Sequence, residues 1–145
     1  MPHKFVNKLY SKVYYSDTDA YGVVWHGSYL RWFEMGRVEY LQELGTNLKD
    51  LAEQNDIIMP VVEINLRYKS SAVINDSITI ETEILKVERA SITFSQKIKN
   101  ALTDKINVLA TVTAVTTNSK GKLYRKLPCP ICNIFSSTNA SLQIT

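Results

Sequence analysis

The chain has 145 residues and a mass of 16.5 kDa, with 17 Lys and Arg against 14 Asp and Glu, a formal charge of +3. At 45% hydrophobic and 21% charged residues it suits one globular domain burying roughly 70% of the unfolded chain's surface, which excludes disordered and fibrous architectures. The small basic excess is scattered and argues against nucleic acid as a partner, and the longest apolar run, residues 57–62, falls far short of the ~18 needed for a membrane span.

In chain order, the first dozen residues carry no apolar leader-like core, and residues 9–15 read as a short strand with Leu9, Val13 and Tyr15 on one face. A turn-rich segment follows, Ser-Asp-Thr-Asp-Ala-Tyr-Gly at 16–22, built from residues that bond their own backbone. From 27 to 44 the spacing becomes helical. One stripe holds Leu30, Phe33, Arg37, Leu41 and Leu44, and a second holds Tyr29, Trp32, Gly36 and Tyr40. Apolar character over more than half the circumference predicts a helix buried by more than one surface, and Gly45 supplies its stop. Thr46 or Asn47 can cap a second helix through about residue 54, with Leu48, Leu51 and Ala52 facing inward.

After Pro60 the period is two. Runs at about 61–69, 76–88, 90–100 and 106–117 are rich in Val, Ile and Thr, and Asn75-Asp76 and residues 118–121 have turn chemistry. The short breaks predict hairpins or meanders throughout. The fold class is α+β: one long helix buried inside one curled antiparallel sheet, in a single domain spanning 1–145. The only two cysteines, Cys129 and Cys132, form a lone C-x-x-C with no His nearby, too few ligands for structural zinc and without the βαβ setting of a redox motif. They read as free thiols in a C-terminal tail, and a cytoplasmic, reduced protein is the expectation.

The chemistry-bearing segment joins the first strand to the long helix. Within a dozen residues it holds Asp17, Asp19, His26 and a helix N-terminus, whose unpaired N–H groups and partial positive charge can polarise a carbonyl. A carboxylate nearby could attack that carbonyl or activate water. The residues alone leave open that both Asp side chains merely make turn bonds and that His26 packs.

The run D-T-D-A-Y-G-V-V-W-H-G-S-Y-L-R-W-F-E at 17–34 resembles the signature of hotdog-fold acyl-CoA thioesterases, of the 4-hydroxybenzoyl-CoA thioesterase/YbgC type. Similarity continues through Pro60, Asn75-Asp76, Arg89-Ala-Ser91 and Leu127-Pro128, and the tail after about 128 departs from the pattern. The resemblance implies Asp19 as catalytic carboxylate and His26 as the position whose backbone N–H polarises the thioester carbonyl. It further implies Tyr15 and Tyr29 lining the acyl or pantetheine channel, with Arg89 and Ser91 contacting the nucleotide. Asp17 is assigned to local turn structure. No metal or cofactor is implied, CoA being part of the substrate. Paired hotdog subunits, commonly tetramers, are implied, and acyl carrier protein is a candidate partner. The acyl group stays open between aromatic and aliphatic. A hotdog hydratase or dehydratase, or a non-catalytic acyl-thioester binding scaffold, are the alternatives.

Overall fold

Alternating β-branched residues build five strands, β1 (Val6–Lys12), β2 (Val61–Tyr68), β3 (Ser77–Glu88), β4 (Ser91–Asn100) and β5 (Ile106–Val115), in this computed structural model, which describes residues 5–136 and 142–143. They form a curled sheet in the order β1-β3-β4-β5-β2, every one of these pairs antiparallel. A two-residue strand, β6 (Leu142–Gln143), adds a parallel pairing to the end of β3. The helices are α1 (His26–Glu43), α2 (Leu48–Asn55) and α3 (Cys129–Ser136).

Helix α1 packs on β1, β3 and β4. Of its two apolar stripes, the one carrying Tyr29, Trp32, Gly36 and Tyr40 is fully buried together with Phe33 and Leu41, whereas Leu30 is 39% exposed. Its core contact within this chain is therefore one broad face. Gly36 permits the closest approach: a Cβ there would stand 2.6 Å from Thr82 Oγ1 and 2.9 Å from Ile80 Cγ2. Buried Gln96 bridges the layers, donating to the Phe33 carbonyl (2.8 Å) and Thr82 Oγ1 (2.9 Å) and accepting from Arg37 (3.0 Å). Burial pulls the Arg37 guanidinium below its ordinary range, and Glu34 partly restores it.

Local chemistry ends α1 as the sequence predicts. Gly45 sits at φ +86°, its N–H bonds the Gln42 carbonyl and the Thr46 N–H bonds that of Leu41, which terminates the helix in a Schellman motif. Asn47 then caps α2 by accepting from the Asp50 N–H at 2.8 Å. Leu51 is buried as expected, while Leu48 is exposed.

Three expectations need correction. The first strand ends at Lys12, so Tyr14 and Tyr15 belong to the following loop. The hairpin prediction holds for β3-β4-β5 but fails for β2, which pairs with β5 at one edge while the chain crosses to begin β3 beside β1. The C-terminal segment carrying the two free thiols holds a helix at residues 129–136, where the sequence reading placed no element. Ile131 and Phe135 are wholly buried, the Phe135 ring lying 6.5 Å from Tyr40 and 6.4 Å from Phe94.

Candidate active site

The loop between β1 and α1 uses its two carboxylates differently. Asp17 is buried, accepting from the Tyr14 N–H (2.9 Å) and from Arg31 (2.6 Å), while its carbonyl receives the Trp25 N–H (2.9 Å) and the Ser28 hydroxyl (3.1 Å). These four bonds clamp the loop to the first turns of α1, so the assignment of Asp17 to local turn structure understates its reach. Asp19 is exposed. It opens a turn in which its Oδ1 accepts from the Tyr21 N–H (2.8 Å) and its carbonyl from Gly22, whose φ of +79° favours glycine.

Asp19 lines a cleft of about 430 Å³ together with Trp25, His26, Tyr29, Tyr68 and Lys69. The cleft opens at the N-terminus of α1. Trp25 occupies the cap position without a side-chain bond to the helix, and the first turn carries no acidic residue. The field of the orphan N–H groups is therefore not quenched locally. The Trp25 indole lies 5.2 Å from the His26 ring and directly over Gly27, where any Cβ would collide with it.

Tyr29 forms one wall. Its hydroxyl accepts the Ala72 N–H at 2.9 Å, and its ring meets Tyr68 edge-on at 5.8 Å. Burial pushes the phenol above its ordinary range, with Tyr68 and Asp76 adding to this and the Ala72 bond opposing it. The hydroxyl thus keeps its proton at neutral pH and can donate into the cleft.

Asp19, His26 and Tyr29 are therefore brought together as the sequence reading expects. Tyr15 is not: its ring is 81% exposed on the turn at Tyr15–Asp17 and does not line the cleft. Arg89 and Ser91 lie at the β3–β4 hairpin, at the far end of the sheet. Tyr68 is level with Val108 and Ile98, and Ser91 begins β4 seven residues earlier, roughly 23 Å away at ~3.3 Å per residue. A single chain does not unite these two with Asp19. Trp25 also lines the cleft, whereas Tyr21 is almost fully exposed and Met59 packs elsewhere, against the core. Tyr68 and Lys69 were missed by sequence reasoning, since nothing local at the end of β2 marks its arrival beside the start of α1.

A long helix wrapped by a curled antiparallel sheet, with a cleft at that helix's N-terminus, defines a hotdog protein. The chain belongs to the thioesterase superfamily, whose family model matches residues 21–106. Acyl-CoA thioesterase YbgC of Haemophilus influenzae is 39% identical over 87 residues, an alignment covering 60% of this chain and 64% of that relative's length. Two solved structures share the fold. A 1,4-dihydroxy-2-naphthoyl-CoA thioesterase from Synechocystis aligns with a TM-score of 0.82 at 19% identity, covering 91% of this chain and 96% of its own. The 4-hydroxybenzoyl-CoA thioesterase of Pseudomonas sp. strain CBS-3 aligns with a TM-score of 0.80 at 19% identity, covering 89% and 98%.

Proposed function

We propose that the protein hydrolyses acyl-CoA thioesters to a free acid and CoA. The observation that carries this reading is the sharing of one cleft by the Asp19 carboxylate and the uncapped start of α1. A thioester carbonyl seated at that helix start accepts from the His26 N–H, which stabilises negative charge as it develops on the oxygen. Asp19 then attacks the carbonyl carbon, expelling CoA thiolate and leaving a mixed anhydride for water to open, or it takes a proton from an attacking water. Tyr29, neutral and half-engaged by Ala72, orients the acyl portion. CoA enters with the substrate, and no further cofactor takes part. Family membership and the acyl-CoA thioesterase named among the relatives support the same chemistry.

The proposal extends to a paired assembly in a cytoplasmic setting. Within one chain Arg89 and Ser91 lie at the far end of the sheet from the cleft, and in the paired assembly a neighbouring subunit would supply them. Strand β2, at the sheet edge, exposes Val61, Val62, Ile64 and Tyr68, a surface suited to a second copy. Among the described residues no helix is long and apolar enough to cross a membrane.

Thiol release from a panel of acyl-CoAs, aliphatic from acetyl to palmitoyl beside benzoyl, 4-hydroxybenzoyl and dihydroxynaphthoyl, tests this directly, with an acyl carrier protein thioester run alongside. Asp19→Asn is expected to lower kcat/KM by roughly 10²-fold or more. Near-normal turnover by that variant, or binding with no thiol released from any substrate, would reject the mechanism.

A further inference from the structure

Cys129 and Cys132 stand apart from the cleft, and their surroundings suit a chemistry of their own. Both are free thiols, Cys129 exposed and Cys132 half-buried against the hydrophobic core. They occupy the first and fourth positions of α3, whose first turn is closed by the Pro128 carbonyl accepting the N–H groups of Ile131 and Cys132, each at 3.0 Å. Three residues apart on a helix, two side chains share a face with Cβ atoms about 5–6 Å apart, against the ~3.5–4.5 Å a disulfide requires. Closing that gap asks for a shift of about 1 Å or a little more in the first turn. Such a shift is available there, because Cys129 is the first helical residue, whose N–H has no intrahelical partner, and Pro130 has no N–H to lose. Wholly buried Ile131, between the two cysteines, fixes the core side of that turn and Phe135 fixes the next, so the adjustment falls on exposed Cys129 at the start of the helix.

We propose that Cys129 and Cys132 are a dithiol–disulfide couple that takes low-molecular-weight disulfides as its oxidant. The Cys129 thiolate attacks one sulfur of the incoming disulfide, forming a mixed disulfide at Cys129 and releasing the first small thiolate. The Cys132 thiolate then attacks the Cys129 sulfur, closing the Cys129–Cys132 bond and releasing the second. The two protein thiols are oxidised, the small disulfide is reduced to two thiols, and the two protons from the cysteines go to those products. The order follows from exposure: the accessible sulfur meets the reagent, and the half-buried one resolves it. Exposed Arg125 and Lys126, four and three residues before Cys129 in the chain, favour an anionic reagent such as glutathione disulfide.

The full chain is equilibrated in buffers of rising oxidised-to-reduced glutathione ratio, quenched with a maleimide and weighed intact. Wild type is expected to pass from both thiols alkylated to neither, two hydrogens lighter and carrying no glutathione. Cys132→Ser is expected to stop as a glutathione adduct at Cys129, and Cys129→Ser to react about tenfold more slowly than wild type or less. All three proteins should release thiol from the acyl-CoA substrate at the same rate when reduced. A wild-type chain that halts at the adduct, crosslinks to a second chain through Cys129, or stays fully alkylated throughout would overturn the proposal.

Discussion

At the residue scale, the two carboxylates of Asp-Thr-Asp show how neighbours in sequence acquire different work. Asp17 faces inward, with both oxygens engaged and Arg31 as its cation; Asp19 points to the cleft with a single backbone contact on Oδ1. Because Arg31 is 55% exposed, the ion pair is screened and contributes less than a fully buried one. Asp17→Ala is therefore expected to cost about 1–3 kcal/mol, mostly through the unpaired Tyr14 N–H and the loosened loop, read as a shifted urea midpoint. It should also lower thioester turnover less than Asp19→Asn does, and an Asp17 variant with unchanged stability would refute the clamp. Asp19 and His26 were legible from the signature, whereas the partnership of Asp17 with Arg31, fourteen residues away, depends on how the loop doubles back onto the helix. Tyr15, whose channel role came from the resemblance, lies outside the cleft of a single chain because the strand ends before it and the following loop turns its ring to solvent. A third carboxylate gives a pH signature. Burial alone would raise Glu81, but the hydrogen bond from Lys99 and the charges of Lys97, Lys99 and Lys8 outweigh it and hold the carboxyl below its ordinary range. Its contribution is complete above the unfolded carboxyl's pKa and is lost as pH falls through the lowered folded value. Urea midpoints of wild type and Glu81→Gln should accordingly differ at neutral pH and converge once pH falls below the lowered folded value, and a gap that persists in acid would refute the network.

At the element scale, α1 is the part that the sequence specified most fully, and the reasons are local. A glycine stop, an Asn cap for the next helix and a 3.6-residue apolar stripe are each written in a few consecutive residues. Gly36 carries a longer-range message, since it marks where the helix meets β3 and β4. Replacing it by Ala gains about 1 kcal/mol of helix propensity. The added methyl, however, meets Thr82, Ile80 and the Gln96 amide at 3.0 Å or less, and those groups are held by one another's hydrogen bonds and by the sheet. Overpacking at such a site costs about 1–3 kcal/mol and wins. Gly36→Ala is thus expected to lower the urea midpoint, and a stabilised variant would show that the layers can part without loss. The crossing from β2 to β3 was not legible, because alternation states which face of a strand is buried but not which strand lies beside it. Helix α3 escaped for another reason: with two cysteines and a proline in its first turn, it forms because Ile131 and Phe135 find a core built by distant residues.

At the scale of the whole molecule, the open question in the fold is the free side of β2. Every residue of that strand but Leu66 is exposed, and its exposed apolar side chains are of the kind that edge strands usually exclude. Its sequence, Val-Val-Glu-Ile-Asn-Leu-Arg-Tyr, is self-complementary when read against itself in the antiparallel direction. A two-fold axis at Asn65 sets Glu63 of one copy opposite Arg67 of the other, Val62 opposite Tyr68 and Ile64 opposite Leu66. An isologous interface makes each such pair twice, so a defect in one residue counts double. Directly opposed ion pairs on neighbouring strands contribute roughly 0.2–1 kcal/mol each, and like charges reverse the sign. Glu63→Arg, which opposes arginines at both places, should therefore weaken self-association by about tenfold, and the exchange Glu63→Arg with Arg67→Glu should restore it. Dilution series followed by light scattering and thiol release read the two quantities that a paired assembly would couple. Loss of activity in step with dissociation, and joint recovery in the exchanged variant, would fix both the register and the need for a second chain. A wild type that is monomeric and fully active at micromolar concentration would refute the shared site, and equal dissociation of single and exchanged variants would refute the Asn65 axis.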